Sequence, residues 1–171
     1  MQPIPSISTQ RLRLRPADRS DFDAYAAMLR TERTRFMGGP YTRQAAWDMF
    51  CKMIAGWHLD GFGGWIIDAG DERMLGVVAI WYPDHFPEPE IGWTLADAAE
   101  GKGIAFEAAD AALAWYWKAT GAETIVSYIS PGNHRSQTLA RRLGAEQDAA
   151  APLPEGETAD ETLVFRHRAP A

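Results

Sequence analysis

The stretch Glu-Gly-Lys-Gly at residues 100–103 stands directly before a long run that contains no helix-breaking residue. The first turn of a helix exposes unpaired main-chain N–H groups and the positive end of the helix dipole, which together favour phosphate oxygens. Gly101 and Gly103 lack side chains, so an anion can approach their backbone closely. The spacing therefore predicts an anion site on main-chain amides. The alternative is a glycine turn that only joins a strand to a helix.

Two common phosphate-binding motifs do not match this region. The sequence contains no G-x-x-x-x-G-K-[ST], and G-x-G-x-x-G fails at its third glycine, where Phe106 stands. The helix after the glycines nevertheless has an amphipathic pattern. Its predicted inner face consists of Ala105, Ala108, Ala109, Ala112, Leu113, Tyr116 and Trp117.

Asn133 and Ser136 form a second group of candidate residues. Asn133 stands where a helix is predicted to begin, and asparagine is a favoured N-cap residue. Ser136 shares a helical stripe with Leu139, Ala140 and Leu143, so its hydroxyl is predicted to face inward, where it needs a partner. A bond to a nearby main-chain carbonyl, or help with the cap, would satisfy that hydroxyl without any chemistry.

Glu90 follows Pro89 at the start of a predicted strand. A carboxylate at that place is either a general base or an ordinary strand-edge charge. The reserve candidates for a base are Tyr128, His85, Glu155, Glu157 and Glu161.

The composition is that of one globular domain: 171 residues, 46% hydrophobic and 23% charged, so we expect residues 1–171 to form a single domain. A formal charge of −6 opposes nonspecific nucleic-acid binding, whereas an acidic cleft would favour a cationic substrate. Cys51 is the only cysteine and the four histidines are scattered, so we expect no disulfide and no metal site. The apolar runs are too short for a membrane span and residues 1–10 lack signal-peptide features. We therefore expect a cytoplasmic protein without a membrane partner.

Hydrophobic periodicity predicts strands at 11–15, 65–67, 75–81, 90–95, 124–129 and 163–167, and a weak strand near 145–149. Helices are predicted from about residue 22, at 45–57, after Gly103 and from Asn133. The order is β, α, α, β, β, β, α, β, α, β, which indicates an α+β fold with a mostly antiparallel sheet. The crossover from Glu90 to Ile129 must create one parallel pair. In the first strand, arginines that alternate with Leu12 and Leu14 indicate a solvated face.

Five segments form a wider pattern: T-Q-R-L-R-L-R-P at 9–16, E-I-G-W-T-L at 90–95, E-G-K-G-I-A at 100–105, T-I-V-S-Y-I at 124–129, and N-H-R-S-Q-T-L-A-R-R-L-G-A at 133–145. Together they resemble the GNAT superfamily of N-acetyltransferases, and more narrowly its ribosomal-protein-acetylating RimJ/RimL-like branch. The resemblance covers the chain from Thr9 to about Arg166. It departs from the common loop Q-G-K-G-Y-A-T-E-A at Glu100 and Phe106. It implies a central parallel pair that is splayed into a V, with helices on both faces of the sheet.

The resemblance also implies a cosubstrate, acetyl-CoA, and no metal. Backbone groups around Trp93, Thr94 and Leu95 would pair with the pantetheine arm like an added strand, and Asn133 would contact the arm. The side chain of Trp93 is predicted to be a core residue. The pyrophosphate would lie on the loop formed by Gly101, Lys102, Gly103, Ile104, Ala105 and Phe106. Lys102 would add positive charge there or remain simply solvated.

The residues that the resemblance assigns to catalysis are Ser136, which would protonate the leaving thiolate, and Glu90, which would act as base directly or through water. The need for a base depends on the acceptor. Deprotonating an α-amine at pH 7 costs about 1 kcal/mol, whereas a lysine-like amine costs roughly 4–5 kcal/mol. The acceptor that the resemblance implies is a peptide N-terminus or a small amine. A homodimer is also expected from the resemblance. The alternative function is a noncatalytic acyl-CoA-binding sensor or interaction module.

Overall fold

The computed structural model describes residues 3–71 and 73–170. Its strands in these ranges are β1 (Ile7–Ser8), β2 (Arg13–Arg15), β3 (Gly64–Asp68), β4 (Gly76–Trp81), β5 (Glu90–Leu95), β6 (Thr124–Ile129), β7 (Glu146–Gln147) and β8 (Leu163–Arg168). They form one sheet in the order β1-β2-β3-β4-β5-β6-β8-β7. Every neighbouring pair is antiparallel except β5 and β6, which are parallel. The predicted α+β class and the single parallel pair are confirmed.

The α-helices in the described ranges are α1 (Phe22–Leu29), α2 (Arg43–Leu59), α3 (Ile104–Thr120) and α4 (His134–Arg142). Short 3₁₀ helices lie at Arg19–Asp21, Glu32–Met37 and Asp97–Ala99. The Thr42 side chain caps α2 and Asn133 caps α4, and left-handed glycines flank α3 at both ends. In the described part of the chain, none of these helices is both long enough and apolar enough to span a membrane.

The helices cover both faces of the sheet, as predicted. On one face, α3 packs against the sheet around Trp65, Ile91 and Ile125. On the other face, α1 and α2 pack around Phe22, Phe50 and Ile66. The inner face of α3 agrees with the prediction at its centre, whereas Ala105 and Trp117 are only partly buried.

The parallel pair separates almost as soon as it forms. Only Glu90 and Val126 are paired between β5 and β6, although each strand has six residues. The Val126 N–H donates to Pro89 O at 3.2 Å, and a regular parallel ladder would continue with a bond from Tyr128 N–H to Ile91 O. That bond is replaced, and the two strands form the predicted V.

Two side chains take the place of the missing ladder bond. The Tyr128 N–H donates to Glu90 Oε1 at 3.4 Å, and the buried Ser127 hydroxyl donates to Ile91 O at 2.7 Å. Because the single Ser127 proton goes to that carbonyl, His167 Nε2, at 3.1 Å from Ser127 Oγ, must be the donor in the second contact. The Ile91 carbonyl and the Tyr128 amide therefore keep partners while the strands diverge.

The arginine-rich first strand differs from the prediction. It is shorter, Arg13–Arg15, and it is preceded by β1, which was not predicted. The predicted solvated face is correct only in part: Leu12 and Leu14 are buried and Arg11 is exposed, but Arg13 and Arg15 are only partly exposed. Arg13 is opposite Asp68 of β3. Both Arg13 and Arg15 form ion pairs with Asp68, whose side chain is fully buried, at 3.1 and 2.6 Å. The turn-forming residues at 69–72 predict a hairpin connection between β3 and β4, but residue 72 lies outside the described residues.

Replacing Ser127 with alanine tests the fork. The Ser127→Ala change leaves a buried carbonyl and a buried imidazole N–H without partners, so we expect a loss of about 1–3 kcal/mol in the free energy of unfolding. Urea denaturation at pH 7 measures the change. Ser130→Ala, a hydroxyl deletion just beyond β6, is the control and should change stability by less than about 0.5 kcal/mol. Equal stability of both variants would show that the Ser127 hydroxyl does not support the fork.

Candidate active site

The glycine loop before α3 has the geometry of an anion cradle. Gly101 and Gly103 adopt left-handed dihedral angles, with φ of 70° and 74°. The first main-chain hydrogen bond of α3 runs from Glu107 N–H to Gly103 O at 3.1 Å, so the amides of Ile104, Ala105 and Phe106 precede it. A Cβ at Gly101 would meet nothing within 4 Å, so the backbone is open to an approaching ligand. These residues fit the predicted pyrophosphate loop.

Glu100, the acidic residue beside this loop, is neutralised by two arginines. One of its oxygens accepts from Arg135 Nη1 at 2.8 Å, and the same oxygen is ion-paired with Arg33. The hydrogen bond from Arg33 is the largest of the effects that lower the pKa of Glu100. A bound diphosphate would therefore meet a paired carboxylate, which removes most of the repulsion that a lone glutamate would cause.

Further cations surround the loop. The Lys102 ammonium donates to Ala98 O at 2.7 Å, and the main-chain carbonyl of Lys102 accepts from Arg11 Nη1 at 3.0 Å. The Arg142 guanidinium lies over the Phe106 ring, 4.9 Å from its centroid. Phe106, which departs from the usual loop sequence, thus provides a flat surface for a cation beside the helix start.

The register defines which backbone groups of β5 point into the V. Pro89 O faces β6 and Ala96 N faces β4, and backbone groups alternate between these sides along the strand. The amides of Trp93 and Leu95 therefore point into the gap, as the predicted arm-binding role requires. The Thr94 main-chain groups point to β4, so its predicted role depends on its side chain alone.

The side chains of β5 separate by face in the same way. Trp93 packs between the core clusters of α3 and α4, which agrees with its predicted core position. Glu90, Gly92 and Thr94 lie on the opposite face, which also carries the 3₁₀ helix Glu32–Met37. A Cβ at Gly92 would meet only Glu90 Oε1, at 3.9 Å. Open space therefore lies beside the Glu90 carboxylate, on the strand that borders the V.

Glu90 has the pKa of a poised base. Burial, with a smaller contribution from the negative charge of Glu157, raises the pKa of Glu90 from 4.5 to about 8, while the Tyr128 N–H opposes the shift. Tyr128 is unsuited to the reserve role of base, because burial raises the pKa of its phenol further above 10. Its buried hydroxyl has no hydrogen-bond partner among the described residues.

Asn133 and Ser136 lie at the start of α4, four and seven residues after the end of β6. The Asn133 side chain accepts from Ser136 N–H at 3.2 Å, which confirms the predicted cap. The Ser136 hydroxyl is partly buried and makes no hydrogen bond to a described residue. On the predicted inner stripe only Ala140 is fully buried, and the neighbouring Gln137 is also buried. Because Arg135 reaches Glu100, this helix start adjoins the glycine loop.

A cavity of about 620 Å³ opens on the outer side of the V. The 3₁₀ helix Glu32–Met37, the turn after β6 and the loop before β8 enclose it. Its lining includes Phe36, Arg35, Glu157, Asp160 and Glu161. Within residues 3–71 and 73–170, no cluster of three or more histidine, cysteine, aspartate or glutamate side chains is suited to hold a metal ion.

Comparison with known proteins agrees with this geometry. The family model of the acetyltransferase (GNAT) domain matches residues 11–146. The chain belongs to the GNAT acetyltransferase family. A solved GNAT-like structure, an acetyltransferase from Agrobacterium tumefaciens str. C58, is 38% identical, with a TM-score of 0.91 over 99% of this chain and 97% of that one.

Two more distant structures share the fold. A proposed ribosomal-protein-serine acetyltransferase from Vibrio cholerae is 24% identical, with a TM-score of 0.78 over 99% of this chain and 100% of that one. RimL, a ribosomal L7/L12 α-N-protein acetyltransferase solved with coenzyme A, is 18% identical, with a TM-score of 0.74 over 96% and 98% of the two chains. At these identities the likeness supports the GNAT fold alone.

Sequence reasoning missed four residues of this GNAT site. Arg33 and Arg135 share Glu100, and Ser127 and His167 support the fork. Only Glu100 carried a signal: a carboxylate beside an anion loop needs a cationic partner, but the sequence does not show which arginine supplies it. The contacts of Ser127 with Ile91 and with His167 join residues 36 and 40 positions apart, which no local pattern reports.

Glu90→Gln tests the raised pKa through stability. Since folded Glu90 holds its proton up to about pH 8 and the unfolded residue only to about 4.5, wild-type stability falls as the pH rises between these values. Glutamine carries no charge, so we expect the variant to gain stability relative to wild type from pH 5 to pH 8, by about 2–4 °C in Tm for each kcal/mol that wild type loses. Calorimetric melting at the two pH values measures this. A constant difference would contradict the raised pKa.

Proposed function

We propose that the protein is an acetyl-CoA-dependent N-acetyltransferase of the RimJ/RimL-like branch, which transfers an acetyl group directly to a primary amine. One observation carries the proposal: β5 and β6 diverge after a single residue pair, beside a glycine loop with open amides. This arrangement offers a slot for an extended thioester and a cradle for its diphosphate at adjoining places. Continued pairing of β5 and β6 would close this slot, so the sheet does not need the slot for its own stability.

The proposed coenzyme site uses groups along one path. The amides from Gly101 to Phe106 would hold the pyrophosphate, and the paired Glu100 would not repel it. The amides of Trp93 and Leu95 would bond the pantetheine arm as a β6 strand would have done. Asn133 is engaged as the α4 cap, so contact with the arm would use its free side-chain N–H groups.

The proposed reaction is direct transfer. The neutral amine nitrogen forms a bond to the thioester carbonyl carbon, and N–H groups of β5 stabilise the oxyanion. Collapse of the tetrahedral intermediate breaks the C–S bond, and the Ser136 hydroxyl gives its proton to the departing thiolate while it takes one from water, to which Glu90 finally returns the proton of the amine. Glu90 takes the proton that the amine loses, directly or through water. A base with a pKa of about 8 suits an amine that deprotonates in the same range.

The cavity beside the V is the proposed acceptor entrance. Glu157, Asp160 and Glu161 give one wall a negative charge that would attract a protonated amine before it reacts. RimL, a neighbour of the same fold, is a ribosomal L7/L12 α-N-protein acetyltransferase, which supports a peptide N-terminus as the acceptor class. An α-amine requires only about 1 kcal/mol for deprotonation at pH 7, which a modest base provides.

The second candidate is a noncatalytic acyl-CoA sensor. One observation favours it: a Glu90 with a pKa of about 8 is largely protonated at neutral pH, and only the deprotonated fraction can act as a base. An acceptor screen separates the candidates. Purified protein is mixed with acetyl-CoA and peptides that differ in the first residue, together with small amines and polyamines, and thiol release is recorded. An enzyme releases free coenzyme A with at least one acceptor, whereas a sensor shows binding by calorimetry and no release.

Ser136→Ala tests the proposed acid. We expect kcat to fall by about tenfold or more, because general acid catalysis contributes typically 10²–10⁴-fold, while the Kd for acetyl-CoA changes little. Thr138→Ala on the exposed side of α4 is the control and should leave kcat unchanged. Thiol release and calorimetry provide the two measurements. An unchanged kcat in Ser136→Ala would remove this residue from the mechanism.

A further inference from the structure

One short segment connects both arms of the V. The 3₁₀ helix Glu32–Met37, which we call the crossing segment, reaches β5 through the Met37 sulfur, the acceptor of a 3.4 Å hydrogen bond from Thr94 Oγ1. On the other side its Phe36 ring lies on Gly132, in the turn after β6, where a Cβ would stand 2.9 Å from Phe36 Cε1. The crossing segment also forms one wall of the acceptor cavity.

Arg33 is the principal polar tie of the crossing segment to the coenzyme side. Its Nε–H donates to Leu95 O at 3.0 Å, and its two terminal nitrogens are paired with Asp97 and Glu100. All three acceptors belong to the end of β5 or to the loop that leads into Gly101. The Arg33 side chain is only 20% exposed, so the guanidinium is held within this interface rather than in solvent.

The Glu100 carboxylate lies at the junction. Its Oε1 atom is shared by Arg33 from the crossing segment and Arg135 from α4. Arg135 is 75% exposed and, within the described residues, has no ion pair other than that with Glu100. The two arginines therefore contact the same carboxylate, but only Arg33 belongs to the crossing segment and connects it to Glu100. This difference supplies a matched pair of variants.

We propose that Arg33 is a positioning residue of the acceptor site, which fixes the crossing segment, and with it the cavity wall at Arg35 and Phe36, against the coenzyme loop. The inference rests on the proposed function, because this cavity receives an acceptor only if acetyl transfer takes place in the V. A planar fork with several fixed N–H donors is required to reach three acceptors, so lysine cannot replace arginine here.

A competing account exists within the crossing segment itself. Thr34 is fully buried, and its hydroxyl oxygen lies 3.0 Å from both Leu29 O and Thr31 O, which share its single proton. If these bonds alone held the crossing segment in place, the contacts of Arg33 would not contribute to the order of the segment. The test must therefore report the order of the segment as well as catalysis.

Amide hydrogen exchange measures that order without any ligand. The reporters are the amides of Thr34 and Gly39, which donate to Thr31 O at 3.2 Å and to Thr34 O at 2.9 Å. We expect Arg33→Met to accelerate exchange across residues 32–41 by roughly fivefold, while Arg135→Met leaves it at the wild-type rate. Exchange that is unchanged in Arg33→Met, or equally accelerated in both variants, would overturn the inference.

Steady-state kinetics with a peptide acceptor from the thiol-release screen supply the second readout. We expect Arg33→Met to raise the acceptor KM by roughly fivefold or more, with the Kd for acetyl-CoA within about twofold of the Arg135→Met value. Arg33→Lys, which keeps the charge, should behave like Arg33→Met. Recovery of the wild-type KM by lysine would show that charge alone matters and would overturn the positioning role. Failure of wild-type protein to transfer acetyl would instead remove the proposed function, and the exchange result would then decide the role of Arg33 in ordering the segment.

Discussion

The hydrogen bond from Ser127 Oγ to Ile91 O, 2.7 Å long, occupies the place of a main-chain bond that would hold β5 and β6 together. A parallel ladder that simply broke off would leave buried carbonyls and amides without partners, at a cost of roughly 1–3 kcal/mol each. The Ser127 hydroxyl and the Glu90 carboxylate remove that penalty at the first two free groups. Beyond them, the amides of Trp93 and Leu95 remain for a ligand.

Charge is distributed unevenly around this fork. The chain is acidic overall, with a formal charge of −6, yet five cations gather at the glycine loop, namely Arg11, Arg33, Lys102, Arg135 and Arg142. Several of them are held by carboxylates, which keeps them in place when no anion is bound. The cavity beyond the end of β6 has three carboxylates in its lining. An anionic donor and a cationic acceptor would therefore be attracted to different sides of one slot.

Much of the framework could be predicted from the sequence, because it depends on local patterns. The strands at 90–95 and 124–129 agree with the structure at both ends, since apolar alternation and flanking turn residues mark them directly. The glycine loop and the Asn133 cap were also visible, because each is a short motif with one structural meaning. The roles of the predicted site residues in binding and catalysis stay predictions.

The remaining features could not be predicted, because they depend on contacts distant in sequence. The alternation in RLRLR indicated an exposed face. Asp68, more than 50 residues away, accepts hydrogen bonds from Arg13 and Arg15 and holds their side chains against the sheet. The open space beside Glu90 arises from Gly92 and from the divergence of the strands. The pKa of Glu90 depends on these surroundings and could not be inferred before the fold was known. Arg33 reads as one of many surface arginines until its three acceptors are brought together.

His167 gives the fork a vulnerability to acid. The imidazole is 1% exposed, its Nδ1 has no donor among the described residues, and burial lowers its pKa from 6.5 to about 4. Because the unfolded chain takes up a proton at a higher pH than the folded one, acidification from about 6.5 towards 4 progressively favours unfolding. The imidazolium that finally forms would lie 3.1 Å from the Ser127 hydroxyl, so acid should weaken the fork before the sheet edges that lie far from it.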